Sequence, residues 1–265
     1  MSEYVVTEDL ARKVLVTVDA GLVSGIGEPT PGSMCVEAAV CYAMGLPHSD
    51  RPTCVGSAVR AFKIRLNDSR WSSNAARTSG MRKLAIAQLG SDAIDQKAFA
   101  KIVVEKIIRQ IVPIALRAAA SRNPKHAEAL EVAAVRCENE GTGSAARNAR
   151  DVARAAYAAA AAYAYAYAYA AAAAAAAADA YAYAAAAAYA AAAAAADAYA
   201  YAYAAAAAAA AADADADADA DAAAAAARDS VFNKTAEIGL AALIELKSPG
   251  CDYLWLTDLT TETEA

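Results

Sequence analysis

Along the first 140 residues, apolar side chains recur every three or four positions, the spacing of helices that bury one face. Leu10, Val14, Leu15 and Val18 mark the first face. Thr7, followed by Glu8 and Asp9, supplies a cap and two acids that suit a helix N-terminus. The run GLVSGIGEPTPGS ends that helix in a Gly/Pro loop. MCVEAAVCYAM predicts a short apolar helix stopped by Gly45 and Pro47, and LPHSDRP a turn-rich connection. CVGSAVRAFKIRL and AARTSGMRKLAIAQL predict two more helices, the second in spite of Gly80, with the polar NDSRWSSN looping between them. From Asp92 to Asn123 the pattern is strongly helical, carried by Phe99, Ile102, Val103, Ile107 and Ile108. Pro113 lies inside that stretch, so a kink or break is expected just before it. Pro124, with Asn123 as cap, opens the next helix, which ends at NEGTG; Ser144 starts another. Near the far end Val231, Ile238, Leu243 and Leu246 mark a last helix, closed by SPG before an acidic tail with Tyr253 and Trp255.

Between the flanks the pattern changes. Every residue from Tyr157 to Asp221 is Ala, Tyr or Asp, and every Tyr and Asp falls on an odd number. A two-residue period suits one face of a strand, whereas on a helix it scatters the tyrosines around the cylinder. An echo of Asp179, Tyr181 and Tyr183 at Asp197, Tyr199 and Tyr201 has a period of 18 residues, about five helical turns. Alanine is the best helix former and a poor strand former, and each Tyr or Asp in its place costs only about half a kcal/mol. The tract therefore reads as helix. A break is expected at DADADADADA, Asp213 to Ala222, where aspartates repel and favour local non-helical bonds. The fold class is thus all-α, a helical bundle or irregular α-solenoid with a long alanine-rich helical segment. Residues 1–140 read as an N-terminal helical domain and 141–228 as the alanine-rich segment. Residues 229–265 read as a C-terminal helix and acidic tail packing on the first domain.

Composition changes this picture in two ways. The chain is 59% hydrophobic, but alanine dominates, so a core must come from the larger apolar residues of the two flanks. The net charge is −6, yet Val55 to Ala85 holds seven basic residues against one acid, so an anion site would be local. Five cysteines, an odd number, follow a polar start without a secretion signal, which points to reduced thiols and a cytoplasmic location. Aspartates interrupt the alanine tract, and alanine gives little insertion drive, so no membrane span is expected.

Candidate chemistry is sparse. Cys35, Cys41, His48 and Cys54 have the types to hold zinc, but on one helix Cys35 and Cys41 point about 240° apart, and no metal or cofactor is expected. Cys35, at a helix start, is a candidate activated thiol with His48 as its base. The richest stretch runs from Lys63 to Lys83. Arg65, Arg70 and Arg77 supply charge, Asn67 a hydrogen-bonding amide, and Trp71 an aromatic face able to stack a base or anchor a partner. These five are the candidate binding residues, for a nucleotide or phosphate ligand. The competing reading tucks Trp71 into the core and leaves a solvated basic face. No Walker loop or Rossmann fingerprint occurs.

The stretch ALEVAAVRCENEGTGSAARNARDVARAAYAAA resembles the alanine-rich helical domain of immunity proteins found with bacterial toxin systems, in which a short charged turn leads into a long Ala-x-Ala helix. PGSMCVEAAVCYAMGLPHSDRP through MRKLAIAQLGS looks like uncharacterised proteins of bacterial and phage genomes. The resemblance implies a non-enzymatic binding protein of the immunity, antitoxin or anti-defence type, which sequesters a partner protein such as a toxin or defence component. Two alternatives stay open: an enzyme or nucleotide-ligand binder using Lys63–Lys83, and a structural or ice-binding repeat protein using the tyrosine grid. Assembly into an oligomer is compatible with all three.

Overall fold

The computed structural model describes residues 5–122, 124–159 and 218–258. Among the described residues there are nine α-helices and no strands, so the fold is all-α. They are α1 (Glu8–Asp19), α2 (Val36–Ala43), α3 (Ser57–Asn67), α4 (Asn74–Ala87), α5 (Gln96–Gln110), α6 (Val112–Arg122), α7 (Ala127–Glu140), α8 (Gly143–Ala159) and α9 (Ala218–Glu245). A 3-10 segment, Pro249–Asp258, follows α9.

Local chemistry sets most of the boundaries. Thr7 Oγ1 accepts the Leu10 N–H at 3.2 Å and starts α1. Ser73 Oγ accepts the Ala76 N–H at 3.0 Å and starts α4. The break before Pro113 is present: α5 ends at Gln110, and α6 begins at Val112 with the proline in its first turn. Three starts differ from expectation. The helix expected from Asp92 begins at Gln96, because Asp95 caps it and the Gln96 side-chain amide donates to the Ser91 and Ile94 carbonyls, holding the preceding residues in a turn. The helix expected at Pro124 begins at Ala127, since the Pro124 carbonyl closes a turn with the Ala127 N–H; the expected cap, Asn123, lies outside the described residues. Thr142 rather than Ser144 caps α8, accepting the Ala145 N–H at 3.2 Å.

Most of the alanine-rich tract lies outside the described residues, and with it the 18-residue echo and most of the odd-number grid. Of the break expected at Asp213–Ala222, Ala218 to Ala222 are helical as the start of α9, and the rest lies outside.

Helix α1 packs on α2 and α4, and α5 to α8 pack on one another, with α6 and α7 antiparallel neighbours across a short turn. Helix α9 lies against α4, α5 and α3, and the 3-10 segment covers α4 and α1. One large core results, containing residues from α1 through to Leu256, beside a small separate cluster of Met34, Cys35 and Ala38. Phe62 meets Phe99 edge-on with centroids 6.0 Å apart, and Trp71 packs on Phe232 of α9 at 4.9 Å. Gly80 of α4 leaves room for the Trp71 ring, which a methyl group there would overlap. Gly239 of α9 clears Phe62 in the same way.

Candidate functional site

The stretch from Lys63 to Lys83 forms the end of α3, a loop and most of α4. Its polar residues divide between inside and outside. Trp71 is only 6% exposed, and its indole N–H donates to the Leu66 carbonyl at 2.9 Å. With one face on Phe232, the ring would have to leave the core to stack on a ligand. Asn67 is fully buried. Its amide donates to the Val23 carbonyl at 2.8 Å and to Asp68, while its oxygen accepts the Val36 N–H at 3.3 Å. Arg77 is buried too, and donates to the Asn67 carbonyl at 2.8 Å and to the Asn74 side chain. Burial lowers its pKa. Asp68 accepts the Gly25 N–H at 2.7 Å, and Ser72 donates to Asp229 of α9. Asn67, Trp71 and Arg77 thus pin the loop between α1 and α2, together with α9, onto the α3–α4 corner. Arg65 and Arg70 are exposed, apart from that buried group.

Cys35 is the N-cap of α2, and its sulfur accepts the Ala38 N–H at 3.4 Å. A helix start favours thiolate, but burial wins and pushes this thiol up to about 11. His48 donates from Nε2 to the Gly27 carbonyl at 3.0 Å. Each is engaged with backbone. Burial likewise pushes Cys41 and Cys137 up to about 12, and Cys54 and Cys251 to about 11. All five are free thiols. Among the described residues no three His, Cys, Asp or Glu side chains gather closely enough to hold a metal ion.

Sequence reasoning missed the most unusual feature. Glu37 of α2 and Lys63 of α3 face each other at 3.6 Å, both 0% exposed. That separation is an ion pair without a hydrogen bond, and both Glu37 oxygens and Lys63 Nζ lack a hydrogen-bond partner. Burial raises the Glu37 pKa against the lowering influence of Lys63, and burial lowers the Lys63 pKa against the opposite influence of Glu37. Two signals were available. Lys63 lies four residues after Val59 and three before Leu66, on the apolar stripe of α3, and Glu37 is the one acid in a helix otherwise apolar nearly all round. Glu37 also lines a small cavity, about 30 Å³, whose walls include Asp50, Asp68, Asn67 and Cys35.

A second concavity lies between α4 and α9. It is an open groove of about 420 Å³, walled by Ser79, Lys83 and Leu84 on one side and Asn233, Glu237 and Leu240 on the other. Among the described residues no helix is long and apolar enough to cross a membrane. Comparison of the chain with protein-family models, with curated proteins and with solved structures finds no match.

Proposed function

We propose that the chain is a cytoplasmic, non-enzymatic binding protein of the immunity or anti-defence kind, and that it sequesters a partner protein through the groove between α4 and α9. The groove is the observation that carries this reading. Its volume falls in the range of binding clefts, roughly 300–1,000 Å³. Half-buried Leu240 gives it an apolar element, and Lys83 and Glu237 give its edges opposite charges, a pattern suited to a protein segment with one apolar anchor. The side chains best equipped for chemistry support the same reading. Asn67, Trp71 and Arg77 are spent on holding helices together, and the thiols are kept protonated by burial. Free thiols suit a reducing compartment.

The test uses the tagged full chain expressed in its native host, beside a variant carrying Ser79→Trp and Asn233→Trp. Both positions are exposed, so the indoles fill the groove without entering the core. The reading predicts a stoichiometric partner with the wild type and its loss from the variant. A partner that stays with both removes the groove from the account. The lack of any stoichiometric partner under conditions where the host expresses the chain removes the sequestering function.

A further inference from the structure

We propose that the groove between α4 and α9 is filled in cis by the residues that follow Asp258, with Leu259 as the anchor, and that a partner must displace them. As a control on partner access this rests on the sequestering reading; the docking itself does not. Contacts along α4 lead the chain to the groove. The Gly250 N–H bonds the Leu89 carbonyl at 2.8 Å, and Ser248 Oγ donates to the Ala87 carbonyl at 2.7 Å, both at the C-terminal end of α4. Farther on, Arg82 donates to the Thr257 carbonyl, and Asp258 meets Lys83 at 3.3 Å. The 3-10 segment thus runs backwards along α4, from Leu89 to Lys83. The next residues in that direction are Gly80 and Ser79, which line the groove together with Arg82 and Lys83. The Lys83–Asp258 pair is exposed and adds little energy. Arg82 is firmer, held by both oxygens of Asp19 at 2.7 and 3.0 Å. Together they fix the point where the chain leaves the core, at the lip of the groove.

Leu259 to Ala265 lie outside the described residues; their sequence is LTTETEA. Its order matches the groove. Leu259 comes first, its Cα about 3.8 Å from that of Asp258, and the groove offers half-buried Leu240 to an apolar anchor. Thr260 and Thr261 follow, with hydroxyls suited to the exposed Ser79 and Asn233 of the two walls. The α9 wall, Asn233 to Leu240, is about 10 Å long at 1.5 Å per residue, and three extended residues span about 10 Å. The first acid, Glu262, therefore falls beyond the walls and clears Glu237. A segment tethered this closely acts at an effective concentration of about millimolar or more, so one apolar anchor suffices. A second copy of the chain lacks that advantage.

The experiment is NMR of the full chain labelled with ¹⁵N and at its leucine methyls, without any partner. The proposal predicts an NOE between the Leu259 and Leu240 methyls, and its loss when Ser79→Trp and Asn233→Trp fill the groove. In Leu259→Ser the amide signals of Ser79, Gly80 and Asn233 move. Absence of the NOE together with unmoved amide signals in Leu259→Ser overturns the proposal. So does an NOE that a mixture of labelled and unlabelled chain shows to arise between molecules, which would make a second copy the occupant. Partner access is read separately. With docking observed, Leu259→Ser should bind the host partner about threefold to tenfold more tightly, since the groove is no longer self-occupied. Unchanged affinity there removes the control on access. Docking without any host partner removes the sequestering reading and leaves the docking standing, whereas a host partner that needs the groove, with no docking, does the reverse.

Discussion

Trp71 illustrates how a residue type that suggests recognition can be absorbed by packing. It lies in a loop among arginines, yet its ring is closed in by Phe232 and its N–H is bound to Leu66. Sequence shows the arginines around it but not that α9, some 157 positions later, returns to the same corner. Trp71→Ala should therefore destabilise the fold by about 3–5 kcal/mol, the cost of emptying a buried aromatic site. Denaturant unfolding measures it, and a variant as stable as wild type would place the ring on the surface. The Glu37–Lys63 pair makes a second prediction. Removing one partner strands a buried charge, so Lys63→Met alone should cost about 3–5 kcal/mol. Glu37→Leu with Lys63→Met should be neutral or stabilising, because desolvating an ion pair cancels much of its attraction. The pH dependence has a definite sign. The Glu37 pKa is raised by folding from 4.5 toward about 7, so its contribution to stability is full below pH 4.5 and lost as pH rises through about 7. The advantage of the double variant over wild type should therefore grow across that window. A constant difference would contradict it. Lys63 was legible as an apolar-stripe position but reads as surface charge if only basic residues are counted.

At the scale of elements, the 3.6-residue pattern located every described helix of the two flanks, because burial of one face dominates their stability. A boundary was legible where a capping side chain is adjacent in sequence, as at Thr7. Boundaries were misplaced where competing turns formed, as at Asp95 and Ala127. The end of α9 was read from the SPG that follows it, and the structure adds a detail. Lys247 takes the left-handed conformation, with φ 57°, while the Ser248 N–H bonds the Leu243 carbonyl at 2.9 Å. That closing position favours glycine, so Lys247→Gly should stabilise the chain by about 0.5–1 kcal/mol, read as a higher unfolding midpoint. Gly80→Ala goes the other way. It gains up to about 1 kcal/mol of helix propensity, but the added methyl meets Trp71, and overpacking costs about 1–3 kcal/mol. Net destabilisation is expected, and a more stable Gly80→Ala variant would mean that the ring sits elsewhere. The α7 terminus was read from NEGTG, and Gly141 in the left-handed conformation closes it, but the contact that satisfies its last carbonyls was not legible: Arg109 of α5 donates to the carbonyls of Glu138, Asn139 and Glu140 at 2.7–2.9 Å.

For the whole molecule, the decisive arrangement is the return of α9 to α4. It joins the two flanks of the alanine-rich tract in one core, and it creates the groove on which the proposed sequestering function rests. The sequence pointed to a contribution of the last helix to the core, because the larger apolar residues lie in the two flanks and not in the tract between them. It gave no groove, since a groove belongs to two helices brought together by long-range packing. The contact that fixes them is Phe232 against Trp71. In a Trp255→Phe background, where tryptophan emission reports Trp71 alone, equilibrium urea unfolding of the Phe232→Ala variant tests the arrangement most directly. The expected result is a single transition weakened by about 3–5 kcal/mol, with the folded-state emission shifted to longer wavelength as the ring loses its cover. Native emission and an unmoved transition in Phe232→Ala would show that α9 does not cover Trp71, and both the shared core and the α4–α9 groove would fall with it.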